Sequence, residues 1–180
     1  MKIYTKKGDN GDTSLLYGAK VSKDDIAPNA YGSVDELVAS LGLIRAESDL
    51  PTDTKTIILR IQRDLFIVGA ELATDKSERV KLSKGETLVT DEMITNLEKN
   101  IDNLTEKNGL PNFFVVPGEN MISAKLDWSR VVSRRAERKC VTWYKTLDMT
   151  DSKVVIYLNR LSDLLWMMAR DFEKEWTPSN

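Results

Sequence analysis

The stretch YLNRLSDLLWMMARD, Tyr157 to Asp171, reads as a helix. Leu158, Leu161, Leu165 and Met168, with Phe172 beyond, recur every three or four residues. That period stacks side chains on one face of an α-helix. The apolar run Leu164–Ala169 within it is far too short to span a bilayer. The same period appears upstream, where Trp128, Val132, Ala136, Cys140 and Trp143 mark a helix over about Asn120–Tyr144. The segment TLDMTD links the two, so the last helix is expected over about Ser152–Glu175.

Three more stripes precede these. Ala30, Val34, Leu37, Leu41 and Ile44 predict a helix over Ile26–Glu47. Pro51 stops it, and Asp53 is a plausible N-cap for the next, whose stripe is Ile58, Ile61, Leu65, Val68 and Leu72. The polar stretch TDKSERVKLSKGETLVT reads as a surface loop. Thr90 or Asp91 then caps a third helix, with Ile94, Leu97, Ile101 and Leu104 inside it and Asn108–Gly109 closing it. LPNFFVVPGEN is extended between Pro111 and Pro117. No internal repeat and no convincing strand pair occurs. The reading is all-α: one domain over 1–180, with a loop at 1–24 and an antiparallel five-helix bundle at 25–180.

Composition narrows the function. A chain of 180 residues, 41% hydrophobic, suffices for one buried core. Its formal net charge of -2 lacks the basic excess of a general nucleic-acid binder. There is no apolar signal core at the N-terminus, and the single cysteine, Cys140, permits no intrachain disulfide, which reads as cytoplasmic without a membrane anchor. Histidine is absent altogether. That removes histidine-ligated metals, Ser-His and Cys-His pairs, and imidazole acid–base catalysis.

Four polar features do not read as plain solvated surface. The opening loop YTKKGDNGDTSLLYG (Tyr4–Gly18) holds three glycines and two lysines, yet no Gly-Lys-Ser/Thr closes it as a P-loop. Arg130, Arg134, Glu137 and Arg138 share one face of the fourth helix, and Asn159, Asp163, Trp166 and Arg170 share one of the fifth. On the first helix Asp35 heads a small-residue stripe of Ala39, Gly42 and Ala46, suited either to close packing within the chain or to a neighbouring subunit. Backbone N–H groups in a glycine-rich loop, with lysine and arginine, suit a polyphosphate cradle.

In this order and spacing, YTKKGDNGDTSL, VSKDD, YGSVDEL, FVVPG, SRRAER and YLNRLSD resemble the ATP:cob(I)alamin adenosyltransferases of the PduO type, nearly end to end. The resemblance implies a homotrimer with active sites between subunits, in which cob(I)alamin attacks the 5′ carbon of MgATP and releases triphosphate. It places nucleotide contacts on Thr5, Lys6, Lys7, Gly8, Thr13, Ser14 and Lys23, on Arg134, Arg135, Ala136, Glu137 and Arg138, and on Asn159. It places an intersubunit ion pair on Asp35 and Arg130, and the residue beneath the corrin on Phe114. It assigns the chain no metal site of its own. An electron-donating reductase and an adenosylcobalamin-dependent enzyme are the implied partners. The chain departs from the family pattern at Asp127, where histidine is frequent, and at Glu119, where a second glycine is usual. Both departures lie near the implied corrin site.

The implied chemistry agrees with the residues. Co(I) is itself the nucleophile, and triphosphate leaves a primary carbon without a general base, so the missing histidines are no obstacle. The protein has to align the reactants and neutralise charge on the leaving group, work for Lys6, Lys7, Lys23 and Arg134. Phe114 cannot ligate cobalt, so it suits a site that eases reduction of cob(II)alamin by excluding axial ligands. A di-metal bundle of the ferritin type requires Glu-x-x-His pairs, and the absence of histidine excludes its usual form. A non-catalytic, ATP-gated corrinoid-binding or delivery protein stays open as the alternative.

Overall fold

Three of the five long helices start on a side chain that accepts a backbone hydrogen bond. In the computed structural model, which describes Ile3, Tyr4 and residues 6–180, α1 spans Ile26–Arg45 and is capped by Asp25. Thr90 caps α3 (Asp91–Asn108) by accepting from the Met93 N–H, and Gly109 ends that helix at φ 71°. Asn120 opens α4 (Met121–Thr146) in a capping box with Ser123, each side chain accepting the other's backbone N–H. α2 (Thr52–Leu72) begins directly after Pro51 without a side-chain cap. Asp53, expected as its cap, lies inside the first turn, where its charge meets the positive end of the helix dipole. α5 spans Val154–Asp171, four residues short of the expected end.

The apolar stripes converge on one core. α4 packs against both α1 and α5, α2 lies against α1, and α3 lies against α5. Ala30, Leu37, Leu41 and Ile44 of α1 meet Val132, Ala136, Cys140 and Trp143 of α4 and Leu158, Leu161 and Leu165 of α5 in this core, nearly all at zero exposure. Deleting such a side chain costs about 2–5 kcal/mol through lost transfer energy and the cavity left behind. One sequence expectation changes, and one polar residue proves fully buried. Trp128, taken as part of the α4 stripe, is 54% exposed, because the stripe drifts around the helix before Val132. Arg170, read with the polar face of α5, is 1% exposed.

The loop regions hold more structure than their pattern suggests. Asp12–Ser14 (β1) pairs antiparallel with Lys20–Ser22 (β2), with Thr13 opposite Val21. Three-residue strands are too short to show alternation, so the pair was invisible as a pattern. Leu15 is buried and roots this hairpin in the core. The Leu16 N–H donates to the Ala73 carbonyl at 2.8 Å, and the Tyr17 hydroxyl to the Lys81 carbonyl at 3.1 Å. Lys81 closes a short 3-10 helix, Lys76–Lys81, within the stretch expected to be plain loop. Beneath it, the fully buried Glu71 carboxylate accepts from Arg79 at 3.1 Å and from the Val89 N–H at 2.9 Å. A buried charge held this way escapes the cost of an unpaired one.

The extended segment expected around Phe114 is present. It is held by the C-terminal residues: the Val116 N–H donates to the Thr177 carbonyl and the Ser179 N–H to the Phe114 carbonyl, at 2.8 and 2.9 Å. Val115 and Pro178 pair across this antiparallel contact.

Candidate functional site

The glycine-rich loop folds into a cleft of about 800 Å³ lined by Lys7, Gly8, Asn10, Asp12, Thr13, Ser14, Lys20 and Lys23. A volume of that size lies within the range of small-molecule and cofactor sites. Local backbone chemistry shapes it. The Gly11 N–H closes a turn onto the Gly8 carbonyl at 3.2 Å, and Gly11 has φ 90°, a conformation that L side chains rarely adopt. The Lys23 N–H reaches the Gly11 carbonyl at 2.8 Å, and its ammonium donates to the Gly8 carbonyl at 2.6 Å. A Cβ on Gly8 would sit 3.0 Å from the Asp12 carbonyl oxygen and 3.1 Å from Lys23 Nζ. Glycine is therefore what lets the loop close on itself here.

Five expected nucleotide residues, Lys7, Gly8, Thr13, Ser14 and Lys23, thus line one cleft. Lys6 is exposed beside it at φ 60°, and Thr5 lies outside the described residues. Sequence reasoning missed Lys20, which the hairpin register sets opposite Ser14. A pairing signal for β1 and β2 would have found it.

The fourth-helix residues do not line that cleft. Arg134 and Arg138 are exposed, and Arg134 has no hydrogen bond or ion pair among the described residues. Arg135 pairs with Glu36 of α1. Glu137 accepts from the Asn159 side-chain amide at 3.3 Å, which joins two expected site residues across the α4–α5 seam. Ala136 is fully buried on the core side of α4, so its side chain serves packing and presents no surface to a ligand.

Asp35 is exposed and makes no ion pair among the described residues. Ala39 and Ala46 below it are exposed too, while Gly42 faces the Gln62 amide of α2. Arg130, its expected partner across a subunit boundary, is held within this chain by Asp127. Its Nε donates to Asp127 Oδ1 at 2.9 Å, with the Arg130 side chain 25% exposed and Asp127 buried. Phe114 is 86% exposed, so it is no ordinary core phenylalanine; Phe113 is far less exposed.

Nearby groups are less available for chemistry. The Cys140 thiol is buried, and burial together with the Glu137 charge pushes its pKa up to about 12, so it is no nucleophile. Burial also raises Asp64, against the partial offset of Arg60, and it raises Tyr157, whose hydroxyl points at Asp64. Neither borders the loop cleft.

A histidine-free helical scaffold with a lysine- and glycine-lined cleft defines a class of protein that meets a polyanion without imidazole chemistry. Comparison with known proteins narrows the class. Residues 3–172 match the family described as cobalamin adenosyltransferase. The corrinoid adenosyltransferase of Citrobacter freundii is 40% identical over 169 residues, covering 94% of this chain and 93% of that one. The corrinoid adenosyltransferase of Bacillus subtilis is 36% identical, covering 94% and 86%. Among solved structures, a variant PduO-type ATP:corrinoid adenosyltransferase from Lactobacillus reuteri, complexed with cobalamin and ATP, superposes with a TM-score of 0.81. It shares 30% identity and covers 94% of this chain and 92% of that one. The chain belongs to the cobalamin adenosyltransferase family and is an enzyme of the transferase class.

Proposed function

We propose that this protein transfers the 5′-deoxyadenosyl group of MgATP to cob(I)alamin, giving adenosylcobalamin and triphosphate, as a cytoplasmic homotrimer of five-helix bundles. The observation that carries the reading is the loop cleft, because in a chain of this family it gathers Lys7, Gly8, Thr13, Ser14 and Lys23 around one volume. Backbone N–H groups and ammonium groups there suit a triphosphate, with Mg²⁺ bridging its oxygens. As the Co–C bond forms and the C5′–O bond breaks, negative charge grows on the triphosphate. Lysines in the cleft and Arg134 of a completed site stabilise that charge, and no proton has to move.

Two further features support sites formed between subunits. Arg134 and Asp35 are exposed and without ion-pair partners among the described residues, and the fourth-helix arginines stand apart from the cleft they are proposed to serve. A neighbouring copy would bring Asp35 to Arg130 and the arginine face to the nucleotide. Phe114, displayed on a strand-like segment, suits the lower face of the corrin, where an apolar ring excludes water and the lower axial base. A reductase would supply the electron, and an adenosylcobalamin-dependent enzyme would take the product.

Anaerobic incubation with MgATP and chemically reduced cobalamin tests the activity, read by the light-sensitive adenosylcobalamin spectrum. Tight binding of both ligands without that spectrum would replace the transferase with a corrinoid-delivery protein. Phe114→His tests the lower face. It should lose far more activity starting from cob(II)alamin and a mild reductant than from cob(I)alamin. Equal loss in the two assays would remove Phe114 from that role.

A further inference from the structure

Four charged side chains run in a line from the buried end of α5 to the outward face of α4. Glu173 pairs with Arg170 twice, with Oε1 2.9 Å from Nη2 and Oε2 2.7 Å from Nε. Arg170 Nη2 also donates to Asp127 Oδ2, and Asp127 Oδ1 accepts from Arg130 Nε at 2.9 Å. The side chains of Glu173 and Arg170 are each 1% exposed and that of Asp127 is 5% exposed, whereas Arg130 emerges to 25%. The Trp166 ring lies 5.4 Å from the Arg170 guanidinium and closes one side of it.

This arrangement has a direction. Asp127 is fixed from behind by Arg170, and it grips Arg130 by Nε alone. Both terminal nitrogens of Arg130 are left without a partner among the described residues, in the planar fork that matches a carboxylate bidentately. An arginine held by one edge has fewer rotamers to lose when the other edge is engaged. We infer that Asp127, anchored by Arg170, is a positioning residue that fixes Arg130 so that its free fork faces the proposed intersubunit site. The inference rests on the functional reading above, in which that fork meets Asp35 of a neighbouring copy.

The charge balance makes the test clean. Asp127→Asn leaves Arg170 neutralised by Glu173, so no buried charge is stranded and the fold should survive. Glu173→Gln perturbs the same buried cluster without touching Arg130, and so reports what a merely structural defect does. Asp127→Asn should lower kcat by roughly ten- to a hundredfold through misplacement of Arg130, with the KM for ATP little changed. Glu173→Gln should leave kcat near its original value. The penalty of Asp35→Asn should shrink several-fold in the Asp127→Asn background, because the two act through one arginine. Independently of activity, exchange of the Arg130 Nε–H, followed by NMR, should be slow in the original protein and fast in Asp127→Asn.

Equal losses in Asp127→Asn and Glu173→Gln would overturn the inference, as would an Asp35→Asn penalty that is the same in both backgrounds. If the original protein forms no adenosylcobalamin at all, the functional reading fails by itself, and the Nε–H exchange then decides alone. Slow exchange that turns fast in Asp127→Asn sustains the positioning role, and unchanged exchange ends it.

Discussion

The opening loop and the α4–α5 seam handle charge in opposite ways. In the loop, Lys7, Lys20 and Lys23 line an open cleft, and the ammonium of Lys23 donates to a backbone carbonyl and meets no carboxylate among the described residues. In the seam, the buried Arg170 lies between the buried carboxylates of Asp127 and Glu173, and Arg130 balances the remaining charge. A buried ion pair contributes little net stability, because desolvation offsets attraction, but breaking it is costly. An exposed cation costs the fold little and stays available to a ligand. On the proposed function the loop serves binding, and the seam holds geometry.

The largest effect should come from the seam. Arg170→Ala strands the buried Glu173 carboxylate and leaves Asp127 only its bond from Arg130, and it should destabilise the fold by about 3–5 kcal/mol, read by chemical denaturation. A loss below about 1 kcal/mol, the scale of an exposed pair, would mean the seam behaves as surface.

Arg134→Ala should leave the denaturation curve in place, because its side chain is exposed and leaves no cavity. It should instead cost on the order of 1.5–3 kcal/mol in kcat/KM for ATP, the scale of hydrogen bonds to a charged group. Near-normal kinetics at low ATP would take Arg134 out of the nucleotide site.

Gly8→Ala should act through the cleft alone, raising the KM for ATP by displacing the Lys23 ammonium or the Asp12 carbonyl. In the original protein, hydrogen exchange over residues 6–14 should slow on adding MgATP, and the alanine variant should need more nucleotide for the same protection. Protection at the same nucleotide concentration in both would show that Gly8 does not shape the site.

The smallest effect should be a change in pH dependence at Asp64, buried beside Arg60 and Tyr157. Burial raises its pKa, so the folded state holds the proton more tightly than the unfolded chain does. Its stabilising contribution is complete below the ordinary carboxylate range and is lost as pH rises through the raised folded value. Asp64→Asn should remove that decline, so that the stability difference between variant and original grows with pH. A difference independent of pH would mean that Asp64 titrates alike in both states.

Much of this was legible in the chain. The five stripes, Thr90 as a cap, Asn108–Gly109 as a stop and the extended Phe114 segment all follow from side-chain periodicity and backbone preference, which act over a few residues. The loop residues were legible as a group because glycine and lysine so close together have few other uses. What stayed hidden involves partners far apart in sequence. The hairpin rests on Ala73 and Lys81, and the Phe114 segment is held by Thr177 and Ser179. Trp128 was misassigned to the buried stripe, and the full burial of Arg170 was not legible, because a helical period tells which residues share a face, and not how far the neighbouring helices cover it.

The sequence by itself determined the helical class, the absence of imidazole chemistry and the residues able to meet a polyanion, since these depend on composition and local spacing. Only the tertiary structure decided which charges are spent inside the fold and which remain for ligands. Arg130, Arg134 and Arg170 are chemically the same side chain, and helix packing buries Arg170, half-covers Arg130 and leaves Arg134 open. Burial and pairing are set by contacts between α1, α4 and α5, and no single stretch of the chain contains them.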